Sequence, residues 1–176
     1  GIDNVLKEQL VDFSTGIDNS SKALGQLVNY LKKSDRPNIL IYWGDHMTNI
    51  GEKRYEIFYK EGYLDENDDG NHQMYLTPMV VWDNYLGKSG NLNELSTFQI
   101  LPTVFELYDL EMPDYFKMIL NLQNTSRGRS HNKIVLDGNG GECKDITEKI
   151  KEGYSAMELV EYDYVYGKRY AEEMFE

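Results

Sequence analysis

The reading of the fold rests on Asn38-Ile39-Leu40-Ile41-Tyr42-Trp43-Gly44-Asp45-His46. An apolar and aromatic run follows Arg36-Pro37 and stops at a glycine, which predicts a strand covered on both faces and then a sharp turn. Asp45 and His46 stand just past that turn. In an open α/β sheet the loops at the carboxyl ends of strands present side chains while the sheet behind them stays rigid, so ligand sites form there. A carboxylate beside an imidazole suits a borderline divalent cation such as zinc or manganese, the first lowering net charge and the second giving a directional lone pair. Two donors do not complete a site, and the plain alternative is that Gly44-Asp45 is an ordinary turn and His46 a loop residue.

Upstream, Leu10, Ile17, Leu24 and Leu31 recur every seven residues, with Leu6, Phe13, Leu27 and Val28 filling the same stripe. This is the apolar face of a helix over about 4–33. Ser14-Thr15-Gly16 is its weak point and Asp18-Asn19-Ser20-Ser21 offers a second cap, so one long helix and two shorter ones both remain open. Pro37 prevents continuation, and a helix leading by a short loop into a buried strand is half of a βαβ unit.

Downstream, residues 47–73 have no clean period. The acidic run Asp65-Glu66-Asn67-Asp68-Asp69-Gly70 is not a calcium loop, because counting twelve from Asp65 ends on Leu76 where a glutamate is required; a solvated loop is expected, with His72 exposed beside it. Met74 to Trp82 resumes a strand pattern, with Pro78 at its start or on an edge. Asp83 to Asn93 reads as a loop. Ser96 and Gln99 form a capping box that opens a helix through Phe98, Leu101, Val104, Phe105 and Tyr108, with Pro102 early in it. Met112-Pro113-Asp114 opens another, burying Tyr115, Met118, Ile119 and Leu122. Arg127, Arg129, His131 and Lys133 are expected on a solvated loop, Ile134-Val135-Leu136 as a short strand, Asp137 to Gly141 as a hairpin turn and Ser155 to Phe175 as a helical ending. The glycine turn is not a phosphate loop, since no Gly-Lys-Ser/Thr follows. No internal repeat or domain boundary is evident, so residues 1–176 are expected to form one domain.

The 176 residues suffice for one core that buries about 70% of the unfolded surface. A formal charge of −12 argues against nucleic acid and against anionic membrane surfaces as direct partners, and requires a cation for any phosphate-bearing substrate. Fourteen tyrosines are many, and composition assigns them no role. The single cysteine, Cys143, excludes an internal disulfide and a cysteine-based zinc knuckle. No run reaches the length of a membrane span, and the first residues lack a signal-peptide pattern. The chain opens at Gly1 directly into helical pattern, as expected of a piece of something larger.

Four motifs in order resemble the C-terminal part of the sulfatase-like catalytic domain of lipoteichoic acid synthases and related phosphoglycerol or phosphoethanolamine transferases, in the alkaline phosphatase superfamily. Ile39 to His46, preceded by the helix from Asp18 through Leu31, resembles the family's apolar run ending in Gly-Asp-His. Thr77-Pro78-Met79-Val80-Val81-Trp82 resembles its Thr/Val-Pro-apolar strand. Ser96 to Leu107 followed by Met112-Pro113 is similar to its Ser-x-x-Asp/Gln-apolar-apolar-Pro-Thr helix. Tyr162-Asp163-Tyr164-Val165-Tyr166-Gly167-Lys168-Arg169-Tyr170 resembles the ending of the synthase-like branch. Met47-Thr48 and Tyr108-Asp109 depart from the family pattern and bear on the substrate rather than the fold.

The resemblance implies an α/β fold, the C-terminal portion of an alkaline phosphatase/sulfatase-like sandwich with a mixed β-sheet flanked by helices. It implies that Asp45 and His46 are two of about four ligands to a divalent metal, manganese foremost, with zinc, magnesium and calcium as the other candidates. The nucleophile and a further acidic ligand come from an N-terminal half of the same domain, the chain's expected partner; no catalytic residue is assigned within these residues. In the family the metal lowers the nucleophile's pKa and neutralises charge as a covalent phospho-enzyme forms. The implied activity is transfer of phosphoglycerol or a similar group from a phospholipid head group to a cell-envelope glycan or teichoic acid polymer. The implied location is the extracytoplasmic face of a bacterial membrane, anchored by upstream segments. The alternatives are a soluble sulfatase or phosphodiesterase of the superfamily, and a non-catalytic binding domain that keeps the fold.

Overall fold

The computed structural model describes residues 3–53, 55–65, 72–129, 135–141, 143 and 145–176. They fall into two compact units, Gly1–Gly90 and Asn91–Glu176. The class is α/β, small sheets flanked by helices, as expected.

In the first unit, α1 (Asn4–Leu31) is one uninterrupted helix. Asp3 caps it, its carboxylate accepting the Leu6 N–H at 2.8 Å, and the chain passes through Ser14-Thr15-Gly16 without a break. Strand β1 (Ile39–Trp43) pairs antiparallel with β2 (Met79–Asp83), Trp43 opposite Met79 and Ile39 opposite Asp83. Pro78 immediately precedes β2, where its missing N–H breaks no rung of the ladder. A short helix α2 (Glu56–Lys60) and a 3₁₀ turn (His72–Tyr75) lie between the strands. The expectation that β1 is covered on both faces is corrected: it is half-buried, with Tyr42 and Trp43 exposed. Among the described residues its sheet has two strands, and a two-stranded ribbon places its backbone partners on one side only. The unit's core is small, Leu6, Ile50 and Ile57, with Leu10 and Phe58 against it.

Asn84, just after β2, ties the helix to the sheet. Its amide nitrogen donates to the carbonyls of Leu31, Ser34 and Arg36 at 3.1, 3.2 and 3.0 Å, and its oxygen accepts the Asn38 N–H at 2.8 Å. Three carbonyls on one side and an N–H on the other fix which way the amide points. One side chain thus caps the end of α1 and sets where β1 begins. Asp83 beside it is buried and accepts the N–H groups of Tyr85, Leu86 and Gly87, rounding off the loop after the strand.

The second unit packs α3 (Thr97–Leu107) and α4 (Asp114–Gln123) with α5 (Glu148–Tyr166) around Tyr115, Ile119, Leu122, Ile150, Tyr154 and Met157. The capping box forms, Ser96 N–H donating to Gln99 Oε1 at 3.1 Å. Gln99 is fully buried, and its amide donates to the Ser126 carbonyl at 3.0 Å; the Ser126 and Tyr154 hydroxyls meet at 2.9 Å. Burial raises the Tyr154 pKa against the lowering effect of that hydrogen bond. Pro102 sits deeper in α3 than expected, past the first turn, and is fully buried: its ring fills the core where its missing N–H costs one helical bond.

Three further expectations are corrected. Arg127 and Arg129 lie on β3 (Ser126–Arg129), paired antiparallel with β4 (Val135–Asp137), and not on a solvated loop. A bulge between Ser126 and Gly128 leaves Arg127 free of the ladder to donate to the Leu92 carbonyl at 3.1 Å, while Arg129 pairs with Glu158 and lies over the Tyr154 ring. Among the described residues the turn after Asp137 is followed by α5 and by no returning strand. That helix begins at Glu148, capped by Thr147, earlier than expected, and ends at Tyr166. A 3₁₀ turn (Glu172–Phe175) then returns Phe175 to stack between Tyr115 and Tyr164, 4.6 and 4.2 Å between ring centroids. His131, Lys133, Ile134 and residues 66–70 of the acidic run, with the His72 side chain, lie outside the described residues. No described helix is long and apolar enough to cross a membrane.

Candidate metal centre

The turn that carries Asp45 and His46 is held from behind by Thr77 and Pro78, the two residues that lead into β2. Gly44 N–H donates to the Pro78 carbonyl at 3.1 Å, and Thr77 Oγ1 donates to the Gly44 carbonyl at 2.7 Å, so both backbone polar groups of the glycine are taken. Glycine fits the close approach: a Cβ there would stand 3.0 Å from Thr77 Cβ, a tight contact that Thr77 would have to relax by a few tenths of an ångström. Beyond His46, the loop is anchored by buried Ile50 and by the Gly51 N–H, which donates to Gln9 Oε1 of α1 at 2.8 Å. Tyr55 N–H donates to Asn49 Oδ1 at 3.0 Å. The Glu56 carboxylate accepts the Glu52 N–H at 2.9 Å and pairs with Lys60, whose ammonium chiefly holds that carboxyl below its usual range.

Asp45 and His46 are brought together at the end of β1, as the sequence predicts. His46 Nε2 lies 3.5 Å from Asp45 Oδ2, with the two side chains 75% and 87% exposed respectively. The His46 N–H donates to Asp45 Oδ1 at 2.9 Å, and His46 Nδ1 lies 3.0 Å from the Met47 carbonyl. A carbonyl only accepts, so in the neutral ring Nδ1 carries the proton and Nε2 keeps its lone pair, on the side of the carboxylate. This is the tautomer a metal ligand needs, with the outer nitrogen held by a backbone acceptor. The separation also fits, since two donors on a tetrahedral centre with bonds of about 2.1 Å stand roughly 3.4 Å apart. No group of three or more potential ligands occurs among the described residues, so the pair is a two-donor face, not a closed site.

Sequence reasoning missed the side-chain support of this face, Thr77, and also Asn84, which acts at the other end of β1. Thr77 was visible only as part of a Thr-Pro motif; its bond partner is 33 residues away, and no local pattern encodes it. The other motif with a legible role is the ending. The Asp163 carboxylate accepts the N–H groups of Lys168 at 3.2 Å and Ala171 at 2.9 Å, closing the C-terminus of α5, with Arg169 over the Tyr164 ring.

A sulfatase family model matches residues 5–110, a span that holds β1, Asp45, His46, β2 and α3. The chain is also similar to a putative cyclic beta-1,2-glucan modification protein of Rhizobium meliloti (strain 1021), 24% identical over 174 residues that cover 96% of this chain. They make up 27% of that relative, so the chain spans about a quarter of its length. No solved structure matches significantly.

Proposed function

The chain belongs to the sulfatase family, and on that premise we propose that it is the C-terminal part of an extracytoplasmic, metal-dependent transferase that moves phosphoglycerol, or a similar phospho head group, from a phospholipid to a cell-envelope glycan. The observation that carries this reading is the Asp45–His46 pair at the end of β1, two donors of the right type 3.5 Å apart, with His46 Nδ1 facing the Met47 carbonyl. Asp45 Oδ2 and His46 Nε2 hold a divalent cation, manganese foremost, from one side. The cation supplies Lewis-acid chemistry, neutralising phosphoryl oxygens and favouring ionisation of the attacking alcohol. A chain of net charge −12 needs such a cation to admit an anionic head group. The Met47 carbonyl favours the His46 proton on Nδ1, and Thr77 and Pro78 hold the turn. The nucleophile and the remaining ligands come from an N-terminal half of the domain, and the membrane anchor from upstream segments. The name of the relative, glucan modification, supports a glycan acceptor.

One second reading of the same site is a hydrolase, acting on a sulfate ester, as the family's description names, or on a phosphodiester. Purified full-length protein incubated with labelled phosphatidylglycerol and glucan, with and without manganese, separates the two. Label appearing on glucan only with manganese, and lost in Asp45→Ala and His46→Ala, is the expected result. Label released to water alone favours the hydrolase, and full transfer in either variant with unchanged metal content overturns the assignment.

A further inference from the structure

We propose that Thr77 is a positioning residue for the metal face, acting through Gly44 to set the direction in which Asp45 and His46 leave the strand. The inference rests on the reading of those two residues as metal ligands. The Gly44 carbonyl clamped by Thr77 Oγ1 at 2.7 Å belongs to the same rigid peptide plane as the Asp45 nitrogen. Fixing that oxygen fixes the plane from which the Asp45 side chain departs, and His46 follows because its N–H is bonded to Asp45 Oδ1 at 2.9 Å. The Gly44 N–H, bonded to the Pro78 carbonyl at 3.1 Å, holds the other edge of the same residue. Both donor side chains are largely exposed, so packing does little to aim them and the backbone clamp carries the positioning. Thr77 suits the place on two counts. Its hydroxyl reaches the carbonyl while its Cβ closes against the glycine, and a β-branched residue before proline is already extended.

The test uses the full-length protein and two readouts, manganese affinity from the paramagnetic resonance signal of the free ion, and the melting temperature of the metal-free protein. Thr77→Val keeps the shape and removes the hydroxyl. It is expected to weaken manganese binding about 10-fold, the lower end of what outer-shell changes cost, with the metal-free melting temperature nearly unchanged. Thr77→Ser retains the hydroxyl and is expected to restore most of that affinity. Thr77→Ala, which vacates space and adds none, carries the same expectation as the valine variant where the latter is not recovered folded. Wild-type affinity in Thr77→Val, or an equal loss in the valine and serine variants, overturns the role of the hydroxyl. Asp45→Ala and His46→Ala, run alongside, keep the two readings apart. If they lose manganese while Thr77→Val does not, only the Thr77 proposal fails; if they bind as wild type, the metal reading itself falls.

Discussion

Replacing Asn84 with alanine removes a side chain that joins the end of α1, the start of β1 and the end of β2. The amide nitrogen has two hydrogens for the three carbonyls of Leu31, Ser34 and Arg36, so at most two of those bonds are fully made at once, and the oxygen adds a third from the Asn38 N–H. At about 0.5–1.5 kcal/mol net each, and with the site partly open to water, the loss is about 2–3 kcal/mol. For a chain of this size that lowers the melting temperature by roughly 5–10 °C. Asn84→Asp is the sharper variant, because it keeps the shape and the acceptor but turns a carboxylate toward three carbonyl oxygens. It is expected to be at least as damaging as alanine. Thermal unfolding followed by circular dichroism at pH 7 measures both. A loss under about 0.5 kcal/mol in the alanine variant, or an aspartate variant milder than alanine, would show that shape and not hydrogen bonding fixes this junction.

Gly167→Ala places a Cβ 2.6 Å from Asp163 Cα and 2.8 Å from its carbonyl oxygen, backbone atoms that cannot swing away, so calorimetry should find a loss of about 1–3 kcal/mol or more. Burial first, and the hydrogen bond to Glu161 second, push the Tyr115 hydroxyl above the usual tyrosine range. The neutral phenol is favoured by folding, so this contribution is complete below the unfolded pKa of about 10 and is lost as pH rises above it. Melting temperatures between pH 8 and 11 should fall more steeply in the wild type than in Tyr115→Phe, and parallel slopes would remove Tyr115 from the account. On the proposed reading, in which two ligands lie here and the nucleophile lies elsewhere in the domain, residues 1–176 alone should bind manganese and zinc weakly and turn over no chromogenic phosphodiester; submicromolar affinity in a titration would contradict this.

Much of this was legible because local chemistry decides it. The Ser96–Gln99 capping box, Pro113 ahead of α4, Pro78 ahead of β2 and the glycine that ends β1 each act within a few residues of themselves. So does the Asp45–His46 pair, which needs no distant contact to be adjacent. What stayed hidden depends on partners far along the chain. The strand at Ser126–Arg129 exists because Val135–Asp137 lies against it, and its arginines read as a solvated run until Leu92, Glu158 and Tyr154 are seen to take them. Gln99 has two functions, and only its cap was readable; its amide meets Ser126 from 27 residues away. The exposed face of β1 is an instructive miss, because an unbroken apolar run states that a strand is apolar on both faces without stating what lies against either one.

The central claim is that Asp45 and His46 together hold a divalent cation at the end of β1. A crystal structure of the full-length protein grown with manganese, with anomalous scattering recorded to locate the ion, tests it most directly. The account predicts one ion within about 2.0–2.3 Å of both His46 Nε2 and an Asp45 carboxylate oxygen, with His46 Nδ1 still bonded to the Met47 carbonyl. An ion held wholly by other residues, with Asp45 and His46 left facing solvent, would contradict it.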